Sequence, residues 1–286
     1  MIRATASFPA DMMKFALLCS GSKGNCFLLQ DEHTSILIDC GNTKRYLSMR
    51  LEELKVRIED LDALLITHTH SDHIAQLKMF EGVRTFAPTD IGTPYEKVEA
   101  GRKFQIEHLT VTPLALSHDA ENTVGYVFES WQEKLVYITD TGYIRDSYLS
   151  LIKGADYIVL ESNHDPEMLM KTSRPMYLKQ RIAGDSGHLC NEDCAAVLRK
   201  TVTNRTKMII LAHISEQANT REKALAVSRS ALKEHREKRK DLLLAAAGQK
   251  EMILGGEWLN EKVDGGSCSC TPGMDAVADP EGAGDQ

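Results

Sequence analysis

The densest group of potentially catalytic side chains lies at positions 67–73, which read THTHSDH. Three of the chain's ten histidines and one aspartate fall within these residues. The apolar run at 63–66 predicts a buried strand, so the group begins where that strand ends. Imidazole and carboxylate are preferred ligands of zinc and similar divalent ions. The spacing therefore predicts a metal site; the alternative is a polar loop with unrelated histidines.

Three further residues of ligand type follow apolar runs elsewhere in the chain. His118, Asp140 and His213 each lie within two residues of the end of a run that predicts a buried strand. Strand ends on a rigid scaffold are a common place for functional side chains. Any one of them alone would more often be a hydrogen-bonded loop residue. Together with positions 68–73 they predict one constellation of metal ligands.

The pattern of strands and helices that must position these residues predicts an α/β (α+β) protein, folded as a four-layer αββα sandwich. Short strand patterns crowd the first half, and strands alternate with helices in the second half. This order favours two packed sheets with helices outside over a doubly wound parallel sheet. The predicted strands are 14–18, 26–30, 35–39, 63–67, 83–87, 102–106, 109–114, 124–129, 134–139, 155–160, 207–212 and 241–246. The predicted helices are 43–55, 72–80, 145–152, 191–202, with Asn191 as its N-cap, and 219–236.

Composition and length predict one globular domain over residues 13–262. The chain has 286 residues, of which 42% are hydrophobic, and a net charge of −7. That charge excludes a polybasic coat over the whole surface but allows a local basic track. Residues 1–12 are unlike a signal peptide, and we expect them to be a disordered leader or a wrongly assigned start. The Gly- and Asp-rich residues 263–286 predict a disordered tail.

The cysteines and the absence of long apolar runs indicate a cytoplasmic protein that does not cross a membrane. Seven cysteines are scattered along the chain, and none forms a C-x-x-C pair. An odd, irregularly spaced set favours neither a disulfide framework nor a thiolate zinc site. With no export signal, the reducing cytoplasm is the expected setting.

The pattern H-x-H-x-D-H, followed by separate His, Asp and His residues after strands, resembles the metallo-β-lactamase superfamily of hydrolases. The resemblance runs from about residue 13 to residue 256 and implies the αββα fold. It also implies two divalent metal ions, Zn²⁺ or Mn²⁺ with iron as a further possibility, and a hydroxide that bridges them. A histidine at position 70, where flavodiiron oxidoreductases have glutamate, favours hydrolysis over redox chemistry. By this resemblance the first metal would be held by His68, His70 and His118, the second by Asp72, His73 and His213, and Asp140 would bridge. Asp72 would also orient the nucleophile or take its proton.

Two further segments resemble the ribonuclease Z branch of that superfamily. There, a glutamate after a strand pairs with a histidine before a helix, near the metals. The match would make Glu161 and His188 a catalytic carboxylate–imidazole pair that assists the leaving oxygen. The alternative is a helix-cap and loop contact. His164, between the two, has no assigned role.

Two segments are candidates for holding the phosphates of a substrate. The turn at 19–26 is rich in glycine, and its Ser22, Lys23 and Asn25 could donate hydrogen bonds to phosphate. Segment 171–181 contains four cations and no acid, which suits a polyanionic substrate. Its candidate contacts are Arg174, Lys179 and Arg181. The alternatives are a plain hairpin turn and a solvated loop.

The motifs as a set closely resemble the YycJ/WalJ-type family of bacterial exonucleases. These motifs include TDTG, ESNHD, YLKQRI and GHLCNEDCA, and they span most of residues 13–220. The resemblance implies a dinuclear-metal-dependent phosphodiesterase that degrades DNA from 5′ to 3′ with a role in repair. The family would place a small residue where this chain has Lys23. Two alternatives stay open: a thioester or lactone hydrolase of the glyoxalase II type, which would not need the basic segment, and a non-catalytic metal-stabilised binding protein.

Overall fold

Two mixed β-sheets packed face to face form the centre of the protein. The computed structural model describes residues 12–261. The predicted leader, except for its last residue, and the predicted tail lie outside these residues. In spatial order the first sheet consists of β14 (Ile253–Gly256), β1 (Lys14–Cys19), β2 (Cys26–Gln30), β3 (Ser35–Ile38), β4 (Ala63–Leu65), β5 (Thr85–Ala87) and β6 (Glu96–Lys97). The second consists of β13 (Leu243–Ala246), β12 (Met208–Ala212), β11 (Tyr157–Glu161), β10 (Lys134–Ile138), β9 (Val124–Glu129), β8 (Leu109–Ala115) and β7 (Phe104–Ile106).

Helices cover the outer faces of both sheets. None in residues 12–261 is long and apolar enough to span a membrane. They are α1 (Lys44–Glu53), α2 (Ser71–Ile74), α3 (Asp146–Ile152), α4 (Pro166–Lys171), α5 (Met176–Ala183), α6 (Asn191–Thr201), α7 (Arg221–Ala231), α8 (Lys233–Lys238) and α9 (Trp258–Glu261). Buried residues of α1 and α9 join the apolar cluster outside the first sheet, and those of α3, α6 and α7 join the cluster outside the second.

Strands of both sheets bury both faces, with successive side chains alternating between two apolar layers. In β1, Phe15 and Leu17 point between the sheets, whereas the intervening Ala16 points to the outer helices. The ring of Phe15 meets the ring of Tyr157 from the other sheet at 4.9 Å between centroids. The sheets are therefore held together by a continuous apolar layer, and this layer fixes where their strands end.

The predicted αββα sandwich is confirmed, with differences at the level of single elements. The N-cap of α6 is Cys190, whose sulfur accepts from the backbone N–H of Asp193, and not Asn191. Asn191 opens the helix with its side chain buried between Ser162 and Asn219. Predicted helix 72–80 is only one α-helical turn followed by a 3₁₀ turn at Leu77–Phe80, and predicted helix 219–236 divides at Leu232.

Segment 171–181, taken from its charges as an insert or loop, contributes to two short helices. Asp165 caps α4 by accepting from the N–H of Met168, and Pro166 follows it at the first helical position. Aspartate followed by proline is typical of the first residues of a helix, whereas the charges of this segment alone suggested a loop. Pro175 directly precedes α5 and prevents α4 and α5 from forming one continuous helix. The short elements β6, β14 and α9 had no sequence prediction.

We predict that Gly255→Ala lowers the free energy of unfolding by about 1–3 kcal/mol, because it overpacks the layer between the sheets. Gly255 pairs with Phe15 across β14 and β1, and an added Cβ would lie 2.1 Å from the Phe15 ring. Urea unfolding of the two proteins measures the difference. Gly248→Ala is the control, since its new Cβ would meet only the flexible side chain of Glu251. Equal losses in both variants would contradict the prediction.

Candidate metal centre

The predicted ligands converge at one edge of the sandwich, where several strands end together. Strands β10, β11 and β12 are parallel, so their carboxyl ends share that edge. The 67–73 loop, which follows β4 of the other sheet, is tied to the same edge because the N–H of Val124 donates to the carbonyl of Thr67. The topology therefore brings together residues that are up to 145 positions apart in the sequence.

The first predicted group, His68, His70 and His118, is assembled at this edge. One nitrogen of each ring lies within 4.8 Å of the others. The Nε2 of His118 is 3.3 Å from the Nδ1 of His70, and its Nδ1 donates to the carbonyl of Gly187 at 3.0 Å. Burial, and then the neighbouring His73, hold the pKa of His68 well below its ordinary value. Neutral imidazole is the form that binds a metal.

The second predicted group, Asp72, His73 and His213, lies beside the first. Its ligand atoms also lie within 4.8 Å of one another. Asp140 lies between the two groups. Its Oδ2 is 3.2 Å from the Nε2 of His73, and its Oδ1 is 3.4 Å from the Nε2 of His213 and 3.9 Å from that of His118. Burial would raise the pKa of Asp140, but His213 and then His73 hold it well below its ordinary value. The carboxylate is therefore charged.

Three buried atoms of this cluster fit a metal ion. Within residues 12–261, the Nε2 of His68, the Nε2 of His213 and the Oδ2 of Asp140 have no hydrogen-bond partner. Buried polar atoms are rarely left in this state, because the loss of hydration is not repaid. Divalent cations in the two ligand groups would supply the missing partners, and the nitrogen and oxygen chemistry of these atoms suits zinc, manganese or iron.

Asp39 supports this cluster from behind and was missed by the sequence analysis. Its fully buried carboxylate accepts the Nδ1–H of His73 at 2.7 Å and the backbone and hydroxyl donors of Thr67 at 2.8 and 2.9 Å. A carboxylate on the outer nitrogen of a ligand histidine orients its ring and strengthens its basicity. The only signal for Asp39 is its place just after β3, which many structural aspartates share.

Glu161 joins two histidines of the site. The predicted contact with His188 is present, at 2.7 Å from the His188 Nδ1, and the same oxygen lies 3.0 Å from the Nδ1 of His213. The other oxygen accepts the backbone N–H groups of Thr141 and Leu189. Burial would raise the pKa of Glu161, but His188 outweighs it and lowers the pKa to about 2. The carboxylate thus stays charged and orients both rings.

Three of these residues have left-handed backbone conformations within two residues after their strands. Asp39, Asp140 and His213 have φ angles of 58°, 59° and 53°. This region is uncommon for residues other than glycine, and such strain concentrates at functional sites. Each turn bends the chain sharply so that the side chain points along the sheet edge into the cluster.

Asn25 is placed differently from its prediction as a phosphate contact. It is fully buried, and its amide nitrogen lies 2.9 Å from the Nε2 of His73 and 3.3 Å from the Oδ2 of Asp72. Its carbonyl oxygen accepts the N–H of Gly21. Asn25 therefore ties the glycine-rich turn to the metal ligands and presents no surface to a substrate. Its neighbours in that turn, Ser22 and Lys23, are exposed, and Lys23 pairs with Glu216 at 2.6 Å.

The cations of segment 171–181 are divided between surface and interior. Arg181 is exposed and pairs with Asp119, next to His118. Arg174 donates to the side chain of Gln217 at 3.0 Å. Lys179, in contrast, is buried, and its ammonium donates to the carbonyl of Met170 at 2.6 Å. This placement favours a structural role for Lys179, joining α5 to α4, over the predicted contact with phosphate.

His164 is buried but stands outside the groups of ligand atoms found in residues 12–261. Its backbone pairs with that of Cys190, and its Nδ1 has no hydrogen-bond partner among the described residues. Burial lowers its pKa, so the ring is neutral. Its burial favours a structural role for His164 over contact with a substrate.

Comparison with known proteins agrees with this geometry. Residues 34–214 match the family model described as the beta-lactamase superfamily domain. The chain is 35% identical to the exodeoxyribonuclease WalJ of Streptococcus pneumoniae, over 74% of this chain and 85% of that protein. It is 34% identical to the exodeoxyribonuclease YycJ of Bacillus anthracis, over 74% and 86%. The crystal structure of the metallo-beta-lactamase fold protein YhfI from Bacillus subtilis is similar with a TM-score of 0.65 at 17% identity, over 86% of this chain and all of that one.

We predict that Asp39→Asn weakens metal binding by roughly 10- to 100-fold while the fold is retained, because asparagine keeps the volume but not the charge opposite His73. Competition with a chelator, followed by elemental analysis of the protein, measures the affinity. Circular dichroism checks the fold. Asp60→Asn, at an exposed aspartate paired with Arg57, is the matched control. Unchanged affinity in Asp39→Asn would show that Asp39 does not support a metal ligand.

Proposed function

The chain belongs to the metallo-β-lactamase superfamily and, within it, to the family of the WalJ and YycJ exodeoxyribonucleases, and from this we propose that it is a two-metal DNA exonuclease that digests from 5′ to 3′. That it is a metal-dependent hydrolase follows from the family. The observation that carries the two-metal proposal is the pair of neighbouring ligand groups with the Asp140 carboxylate between them. The choice of DNA is supported by the named relatives, and the direction rests on the family resemblance.

In this proposal the ligands divide as the geometry groups them. His68, His70 and His118 would hold one ion, Asp72, His73 and His213 the other, and Asp140 would touch both. When bound, two such ions supply Lewis acidity at the phosphate and a nucleophile from water near neutral pH. The protein's own part is to hold these side chains in place: in the second group, Asp39 orients His73 and Glu161 orients His213.

Asp72 is the carboxylate best placed to handle the attacking water. Its side chain is 22% exposed, against 3% for Asp140, so it reaches the open side of the cluster. Its Oδ2 lies 3.6 Å from the Nε2 of His73 and 3.9 Å from that of His213. From there it can orient a water molecule toward phosphorus and accept its proton.

His188 is the group we assign to the leaving oxygen. Its ring stacks on that of His213 with 5.1 Å between centroids and lies 5.0 Å from the ring of His118, so it faces both ligand groups. The contact with Glu161 occupies Nδ1, so Nε2 is the nitrogen that would face the leaving oxygen. Donation of a proton to the departing oxygen lowers the barrier for breaking the phosphodiester bond.

Cations around the cluster favour an anionic polymer over a small thioester. Arg181 lies at the rim, held by Asp119. His118, Lys97 and Arg145 line the same cavity. Cations near the cluster could neutralise the phosphates that flank a scissile bond, and phosphate neutralisation supplies much of the affinity for nucleic acid. A thioester or lactone substrate gives them no role.

We predict that the purified protein releases short products from end-labelled DNA only when a divalent metal is present, and that Asp72→Asn abolishes this activity. The assay uses 5′- and 3′-labelled single- and double-stranded DNA after removal of metal with EDTA and addition of Mn²⁺ or Zn²⁺. Asp60→Asn is the control. Early release of the 5′ label supports the proposed direction. Absence of cleavage with every metal, together with hydrolysis of a thioester, would overturn the proposal.

We also predict that His188→Ala lowers kcat on DNA by roughly 10²- to 10⁴-fold, since it removes the proton donor. In the proposed division of the ligands His188 belongs to neither group, so metal content should stay at the wild-type level, whereas the alternative grouping of His188 with Asp140, Glu161 and His213 predicts a loss of metal. Elemental analysis and single-turnover kinetics measure the two quantities separately. His33→Ala, at an exposed histidine in the β2–β3 turn, is the control. A matching loss of metal and activity would make His188 a ligand.

A further inference from the structure

Large apolar side chains are exposed on α4 and α5, close to the metal cluster. Met170, Met176 and Tyr177 are 55%, 54% and 71% exposed. Among residues 12–261, no hydrogen bond or ring contact of Tyr177 is found. Tyr177 therefore presents an accessible aromatic ring on the helix that also carries Arg181.

Tyr177 and Arg181 lie on the same face of α5. They are four residues apart, so their side chains project in nearly the same direction, about 6 Å apart along the helix axis. The opposite face is occupied by the buried Lys179 and Ile182, which fix the rotation of the helix. Tyr177 therefore lies one turn farther from the metal cluster than Arg181.

The position of this face relative to the ligands is fixed by several contacts. Arg181 pairs with Asp119, whose Oδ1 is 3.3 Å from the Nε2 of His118 and 3.6 Å from the Nε2 of His70. The N–H of His188 donates to the carbonyl of Ile182 at 2.9 Å. Arg181 is therefore linked through Asp119 to the first ligand group, and Tyr177 lies one helical turn before Arg181 on the same face of α5.

The charge around Tyr177 points to a polyanion. Residues 168–184 contain four cations and no acid. Three of them, Lys171, Arg174 and Arg181, are partly or fully exposed, and two of these pair with exposed or half-buried acids, Lys171 with Glu167 and Arg181 with Asp119. An aromatic ring among exposed cations is the combination by which proteins bind single-stranded nucleic acid, with phosphates on the cations and a base on the ring. In a duplex the base faces are covered by neighbouring pairs.

We propose that Tyr177 stacks on the base of an unpaired nucleotide adjacent to the scissile phosphate, with Arg181 on the intervening phosphate. This inference rests on the proposed nuclease function. The one-turn separation of the two side chains matches the reach between consecutive phosphates of an extended strand. The occupant of this surface is therefore single-stranded DNA, and the preferred substrate has an unpaired end.

The test is binding of a single-stranded oligonucleotide that carries 2-aminopurine near its 5′ end and phosphorothioate linkages that resist cleavage. Stacking on Tyr177 should quench the fluorescence of the metal-loaded wild-type protein's complex. Tyr177→Ala should remove most of the quenching and raise Kd by roughly 5- to 150-fold. Tyr177→Trp should restore both. The effect on a blunt duplex should be much smaller.

Trp131→Ala is the matched control. Trp131 is more exposed, at 87%, but lies in the β9–β10 turn at the opposite end of those strands from the ligands. If wild type cleaves and binds DNA but Tyr177→Ala binds and quenches equally well, the inference is wrong and the nuclease proposal stands. If Tyr177→Leu binds as tightly as wild type, the surface is merely apolar and the stacking proposal fails. If wild type neither binds nor cleaves DNA, the nuclease proposal fails and this inference fails with it.

Discussion

The arrangement of the site depends on three carboxylates buried among histidines. Burial of a charged group away from water is costly unless an opposite charge or a metal compensates it. Here acids and imidazoles alternate along Asp39, His73, Asp140, His213, Glu161 and His188, with separations of 2.7, 3.2, 3.4, 3.0 and 2.7 Å between successive side chains. The two outer acids hold the rings, and the central one faces the metal positions. A change at either end therefore alters the charge balance at the centre.

Close backbone contacts bring the loops that carry this chain of groups together. An added Cβ on Gly41 would lie 1.7 Å from the carbonyl oxygen of Asp72, and one on Gly142 would lie 2.2 Å from that of Asp185. The absence of side chains at these positions lets the β3 loop contact the 67–73 loop and lets the chain after α5 contact the loop after β10. The ligand cluster and the segment that carries Arg181 are therefore held together by close backbone contacts.

Much of this could be predicted because strand ends and ligand chemistry coincide in the sequence. The seven candidate ligands stand out by residue type and by their place after apolar runs, and the two-sheet fold follows from the strand pattern. Asp39 could not be found in this way, since a lone aspartate after a strand has no spacing partner. Asn25 lies in a glycine-rich turn that resembles an anion-binding loop, and only the tertiary fold shows that it faces inward. Helices α4 and α5 are too short for periodicity to reveal them.

The pairing of β1 with β14 also has a consequence for synthesis of the protein. Lys14 of β1 lies opposite Gly256 of β14. This edge of β1 therefore cannot pair until residues some 240 positions later in the chain have been synthesised. Contacts of such long sequence separation form slowly, because closing the intervening loop costs entropy before any pairing repays it. The first sheet cannot be completed while the ribosome is still making the second. Until then one edge of β1 remains open, and during that interval the nascent chain depends on protection from unwanted strand pairing.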